Sequence, residues 1–274
     1  MGKAIATRLK GQGVEVHAWN RTLTRARELD VIVSDTPAAL ASRADIIFVS
    51  LFDSASVREV LSMNNGLLSG ELRGKLVVDM TTNHFKEVLA FHSILAERGG
   101  AYLEAPLIGS VIPAMSGSLT ILASGGEDPY KAALPYLEKL GSAIYFLKEP
   151  GLATRIKLVN NLLLGTFMAS IAEATALGEK AGLDRATALD IFSNGAGSSA
   201  ILSAKKEKLL NEDFEAHFKC SLMYKDLHYL QDLAAALKSP VFTASIAKEL
   251  FAAAVSKGAG EEDFSAVYRA VKNL

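Results

Sequence analysis

Lys3-Ala-Ile-Ala-Thr-Arg-Leu-Lys10, then Gly11-Gln-Gly13, then Val14-Glu-Val-His-Ala-Trp19: this continuous stretch decides the fold. Its first part has no proline and ends on two glycines, as a helix does. Its last part alternates with period two, as a strand does. A helix that delivers the chain into a strand through a tight glycine turn is part of a βαβ unit. The pattern continues outward. Asp45-Ile-Ile-Phe-Val-Ser-Leu51 and Lys75-Leu-Val-Val-Asp79 are near-continuous apolar runs, which marks strands buried on both faces. Ser118-Leu-Thr-Ile-Leu-Ala123 and Ala143-Ile-Tyr-Phe146 follow, and Thr22 to Leu29, Thr36 to Arg43, Ser54 to Ser62, Phe85 to Gly99 and Asp128 to Leu140 read as helices between the strands. The expected class is α/β, a doubly wound and mostly parallel sheet.

After Glu149-Pro150-Gly151 the character changes. Ala153 to Ala181 carries strong helix formers and no proline, and helical spacing persists to the end, divided by turn clusters at 193–199, 238–240 and 257–260. Two domains are expected: residues 1–150 around the sheet and an all-α domain, residues 151–274, opening with a long interdomain helix. Half of the 274 residues are hydrophobic and 22% are charged, ample for a core. Lys plus Arg number 29 against 30 Asp plus Glu, so no basic surface is offered to nucleic acid or to an anionic membrane. The apolar stretches are broken by Lys, Asn or Glu short of ~18 residues, so no membrane span is expected. The single cysteine, Cys220, excludes an internal disulfide and a thiolate metal site and fits a reducing cytoplasm.

In a dinucleotide-binding unit the helix after the glycine-rich turn begins where Met1-Gly2 stands, and the end of the next strand meets the adenosine ribose ~20 residues on. That place holds Asn20-Arg21-Thr22. A carboxylate there would take the ribose hydroxyls of NAD; an arginine pairs with a 2′-phosphate, which favours NADP(H). The alternative is a polar turn with a solvated arginine. If Gly2 is the last glycine of the turn, the two others and the strand feeding them, roughly ten residues, are expected upstream of Met1.

Four separated motifs carry a resemblance to the β-hydroxyacid dehydrogenases, the family of 3-hydroxyisobutyrate, tartronate-semialdehyde and glyoxylate/succinic-semialdehyde reductases. Met1-Gly2 with Asn20-Arg21-Thr22 resembles its cofactor turn. Asp79-Met-Thr-Thr82 resembles its D-x-S-T segment, which implies that Thr82 lies beside the nicotinamide. Glu104-Ala-Pro-Leu-Ile-Gly-Ser-Val-Ile-Pro-Ala-Met-Ser-Gly-Ser-Leu119 resembles its substrate segment, nearest the semialdehyde-reductase subgroup, with Glu104 for the usual Asp and Ile108 for the usual serine. Gly151-Leu-Ala-Thr-Arg-Ile-Lys157-Leu-Val-Asn160-Asn161 matches G-x-G-x-x-x-K-x-x-x-N with Ala153 for the second glycine. Beside these four, Tyr224-Lys225-Asp226-Leu227 resembles the K-D-L whose lysine reaches the cofactor. The resemblance implies a Rossmann-type NADP-binding domain whose first strand is absent from this chain, followed by an all-helical domain for substrate and oligomerisation. It assigns cofactor contacts to Met1, Gly2, Asn20, Arg21, Thr22, Leu51, Thr82 and Lys225, and substrate contacts to Thr81, Gly109, Ser110 and Asn161.

Lys157 and Asn161 are four apart and share a helix face. A carbonyl that receives hydride develops alkoxide charge, which a positioned ammonium answers by electrostatics and proton transfer. Lys157 and Asn161 are therefore the expected catalytic pair, in a cleft between the domains at the carboxyl ends of the strands. Taken alone, such a pair on a helix is a solvated surface, and Lys225-Asp226 has the same bland alternative. The five histidines, His17, His84, His92, His217 and His228, show no ligand spacing, and no metal is expected. The expected activity is hydride transfer between NADP(H), preferred over NAD(H), and a small carboxylate bearing an aldehyde or a hydroxyl, by a homodimer or homotetramer. An imine-reductase-like enzyme is one alternative, disfavoured by Lys157. A non-catalytic oligomeric scaffold with a broken cofactor site is the other.

Overall fold

The computed structural model describes residues 1–273. The chain divides into two compact units, Met1–Lys157 and Leu158–Leu274. The first alternates helices and strands: α1 (Gly2–Gly11), β1 (His17–Ala18), α2 (Leu23–Arg27), β2 (Ile32–Val33), α3 (Pro37–Ala41), β3 (Ile46–Val49), α4 (Ser54–Ser62), β4 (Leu76–Asp79), α5 (Phe85–Glu97), β5 (Ala101–Glu104), β6 (Leu107–Ile108), α6 (Val111–Ser116), β7 (Leu119–Ala123), α7 (Glu127–Leu140) and β8 (Gly141–Phe146). Helix starts follow local chemistry. Thr36 accepts from the Ala39 amide with Pro37 in the first turn of α3, and Asp53 accepts from the Ser56 amide at the start of α4.

β3, β4 and β5 form a parallel sheet with Ile46 opposite Leu76 and Leu76 opposite Ala101. Their side chains alternate between two cores. Ile46, Phe48, Leu76, Val78 and Leu103 pack with Ala4, Ile5 and Leu9 of α1 and with Leu137 and Leu140 of α7. Ile47, Val49, Val77 and Tyr102 pack with Val57 and Leu61 of α4 and with Val88, Phe91 and Leu95 of α5. Apolar layers on both faces make the sheet doubly wound, and explain why its strands read as unbroken apolar runs.

The strands do not form one continuous ladder. β1 and β2 make a parallel two-stranded ribbon, and β6, β7 and β8 a third sheet in which β6 runs antiparallel to β7. The strand expected over Val14–Trp19 shortens to His17–Ala18. Hydrogen bonding explains this, because Val16 and Ala18 carbonyls accept from Ile32 and Ser34 while the intervening residues turn their backbone away from β2. On β3, Asp45 and Val49 carbonyls accept from Leu76 and Met80, so Ile46, Phe48 and Ser50 turn away from β4. β1 and β3 are not bonded to each other; both line one cavity of about 930 Å³.

α8 (Leu152–Lys180) opens in the first unit and runs on into the second, followed by α9 (Arg185–Asn194), α10 (Ala200–Asn211), α11 (Cys220–Ala236), α12 (Phe242–Ser256) and α13 (Val267–Lys272). The expected turns at 238–240 and 257–260 follow α11 and α12, while the one at 193–199 begins in the last turn of α9. By length and composition α8 is apolar enough to cross a membrane, contrary to the expectation that every apolar stretch falls short. Its apolar window is 44% buried within the protein, and the helix also buries the polar Thr154, Asn161 and Thr175.

Candidate active site

Six of the expected cofactor residues, Met1, Gly2, Asn20, Arg21, Thr22 and Leu51, line the 930 Å³ cavity. α1 starts there without a side-chain cap, so its first-turn amides can take an anion with the favourable end of the helix dipole behind them. A Cβ built on Gly2 would lie 3.8 Å from Ser50, the residue just past the carboxyl end of β3. Asn20 folds the following turn by accepting from the Thr22 amide at 2.9 Å. Arg21 is 81% exposed and only loosely paired with Glu59 at 3.8 Å, so its guanidinium can turn to a phosphate. An uncapped helix start and an arginine at the end of the next strand fit a dinucleotide carrying a 2′-phosphate.

The carboxyl end of β4 is fixed by Asp79. Its Oδ1 accepts from the Thr81 amide at 2.8 Å, and its Oδ2 from Tyr102 Oη at 2.6 Å and Asn83 Nδ2 at 2.8 Å. Burial pushes this carboxyl above its ordinary range despite those donors. Thr81, also buried, accepts from the Leu51 amide at 3.0 Å and so joins the ends of β3 and β4. Thr82 follows, half-buried. Gly109 and Ser110 precede α6 in the first unit and do not line the cavity. Gly109 has φ +124°, and a Cβ there would lie 2.8 Å from Leu119 and 3.2 Å from Pro113, so only glycine fits.

α8 carries Lys157, buried at 6% exposure, and Asn161, fully buried. Asn161 Nδ2 donates to Asp226 Oδ2 at 2.6 Å, which fixes the amide with its oxygen turned elsewhere. Lys225 Nζ lies 3.1 Å from Asp226 Oδ1, so one carboxylate holds two of the expected site residues. The helix start is held from the sheet. Glu104 accepts from the Gly151 amide, from the Thr154 amide at 3.1 Å and from Thr154 Oγ1 at 2.6 Å, with His92 Nε2 3.1 Å away. Burial pushes the Glu104 carboxyl up, but the bonds from His92, Thr154 and Gly151 outweigh it and hold it below the usual carboxylate range.

Sequence reasoning missed Asp226, Asp79 and the contact of Glu104 with α8. The available signal for Asp226 was a charge among the apolar positions of a helix, where an acid persists only if paired. Nothing in the spacing of His92, Glu104 and Thr154 announces their contact. Among the described residues no group of three or more His, Cys, Asp or Glu could hold a metal ion.

Two family models cover the chain. Residues 1–148 match the NAD binding domain of 6-phosphogluconate dehydrogenase, and residues 151–271 match the NAD-binding of NADP-dependent 3-hydroxyisobutyrate dehydrogenase. The human cytokine-like nuclear factor N-PAC is 33% identical across 98% of this chain and 49% of its own; the chain thus spans about half the length of that curated relative. A 2-(hydroxymethyl)glutarate dehydrogenase of Eubacterium barkeri is 34% identical across 98% of this chain and 91% of its own. A solved 3-hydroxyisobutyrate dehydrogenase of Salmonella typhimurium matches with a TM-score of 0.89 at 25% identity, covering 98% of this chain and 95% of the other. Fold and comparisons together define the class, a Rossmann-type chain of the kind whose family models describe nicotinamide-dinucleotide binding. Within that class it belongs to the β-hydroxyacid dehydrogenase family.

Proposed function

We propose that the protein transfers hydride between NADP(H) and a small carboxylate that bears an aldehyde or a hydroxyl. The observation that carries this reading is Lys157, a lysine buried on α8 one turn before an asparagine whose amide is fixed by Asp226. The bound cofactor supplies the hydride. In the reducing direction Lys157 gives its proton to the carbonyl oxygen as negative charge gathers there; in the oxidising direction, neutral, it takes the hydroxyl proton. Asn161 orients the substrate, and the Gly109-Ser110 backbone and Thr81 contact its polar groups. Thr82 and Lys225 contact the cofactor. Exposed Arg21 and the uncapped start of α1 support NADP(H) over NAD(H). Ile108 replaces a hydroxyl with an alkyl group beside Gly109, which disfavours substrates that need a hydrogen bond there.

The test is Lys157→Ala, expected to lower turnover by ~10²–10⁴-fold, the range for loss of a general acid, with NADPH affinity near wild type. An unchanged rate refutes the assignment. A homodimer or homotetramer is part of the proposal, supported by the stripe of exposed Val159, Leu163 and Phe167 at helical spacing on α8. A second reading is a non-catalytic oligomeric scaffold, favoured by the likeness to a protein named as a nuclear factor and not as a dehydrogenase. Fluorescence titration with NADPH separates the two, since a scaffold with a broken site shows no saturable binding.

A further inference from the structure

An α-helix begins with amides that have no intrahelical acceptor, and a side chain at the N-cap ordinarily takes one of them. α8 cannot do this for itself, because the residue before it is Gly151, which has no side chain and sits at φ +85°. The acceptors come instead from distant strands. Glu104, at the end of β5, takes the Gly151 and Thr154 amides together with Thr154 Oγ1. Ser124, the residue paired with Glu104 through an isolated β-bridge, takes the Ala153 amide on its Oγ at 3.1 Å. The Leu152 amide goes to the Glu149 carbonyl, so every amide from 151 to 154 is held. His92, donating from α5, braces the carboxylate from the other side. Thr154, Lys157 and Asn161 stand at i, i+3 and i+7, on one helix face.

We propose that Glu104 is a positioning residue for Lys157: its carboxylate, seated on the first turn of α8 and braced by His92, sets together with the neighbouring Ser124 hydroxyl the rotation and depth of the helix face that carries the acid/base group. This rests on the functional reading above. A carboxylate at a helix N-terminus is also held by the dipole, so the clamp is electrostatic as well as geometric. The Glu104→Gln side chain keeps the shape but can present its NH₂ to a helix amide, donor against donor, and the first turn must shift to relieve it.

The experiment measures steady-state kinetics and melting of Glu104→Gln, Glu104→Asp, Ser124→Ala and Thr154→Ala, with Lys157→Ala alongside. Glu104→Gln is expected to lose ~10²-fold in kcat, the scale of a misplacement near 1 Å, with the KM for NADPH near wild type. Glu104→Asp, which restores the charge, should recover most of kcat; Ser124→Ala and Thr154→Ala should each lose ~5-fold, the value of one bond. A cooperatively folded Glu104→Gln with wild-type kcat overturns the proposal. If that variant does not fold, Ser124→Ala and Thr154→Ala decide, and wild-type kinetics in both overturn it. A Lys157→Ala enzyme that still turns over refutes the functional reading itself. Loss in Lys157→Ala with none in Glu104→Gln refutes only the positioning role.

Discussion

Replacing Asp226 separates two jobs done by one carboxylate. Its side chain is about 1% exposed, takes Asn161 Nδ2 at 2.6 Å on one oxygen and faces Lys225 Nζ at 3.1 Å with the other. Asp226→Ala leaves the Asn161 amide buried without this acceptor and removes the carboxylate beside Lys225. A hydrogen bond to a charged group contributes ~1.5–3 kcal/mol, and an unsatisfied buried donor costs a similar amount. The fold should therefore lose about 2–3 kcal/mol, and Tm should drop by ~4–12 °C at ~2–4 °C per kcal/mol. The same free energy, expressed in the transition state, is ~30–150-fold in kcat/KM. Asp226→Asn behaves differently. Its amide oxygen can still accept from Asn161, so kcat should stay near wild type while the loss of charge beside Lys225 raises the KM for NADPH. Steady-state kinetics with varied NADPH and varied substrate, and thermal melts of both variants, give the answer. Wild-type kinetics and Tm for Asp226→Ala refute the coupling; equal loss of kcat in both variants assigns the role to charge rather than orientation.

Asp263 in the second unit takes Lys205 Nζ at 2.9 Å and Ser265 Oγ at 2.7 Å while fully buried. Asp263→Ala should destabilise by ~3–5 kcal/mol in urea unfolding, because it leaves the buried lysine uncompensated. Burial raises the Asp263 carboxyl, but Lys205 and Ser265 outweigh it and hold it below its usual 3.8. Its contribution is therefore full above pH 3.8 and lost as pH falls through the lowered folded value, so the acid limb of stability should flatten in the variant, read from urea midpoints against pH. Arg21→Ala should weaken NADPH binding by ~10-fold or more, the worth of one charge-assisted contact, and leave NADH binding unchanged by fluorescence titration.

The parallel sheet was legible because β3 and β4 are buried on both faces, which writes them as unbroken apolar runs. β5 was not, since Ala101-Tyr-Leu-Glu104 ends in a charge and its burial depends on Tyr102 and Glu104 finding Asp79 and α8. β2 is two residues long, too short for a period to show. α6 contains Pro113, which reads as a breaker until its place near the helix start is known. Helix starts were better marked, since Ser54, Phe85 and the span after Gly151 follow capping or turn residues. In the candidate site, the i, i+4 placement of Lys157 and Asn161 could be read from one helix. The carboxylates that hold that helix could not, because Glu104 and Asp226 act across 50 and 65 positions of chain, where no period operates.

The facing edges of β1 and β3 have a consequence for handling the protein. Residues Ile46, Phe48 and Ser50 on one strand, and His17 on the other, turn their backbone groups away from the bonded neighbour. Such groups are templates on which strands from neighbouring molecules can add, and amides without a ladder partner exchange with solvent early. Warming or crowding this chain should therefore produce intermolecular β-structure that starts at this edge, before either of the two cores flanking β3, β4 and β5 has melted.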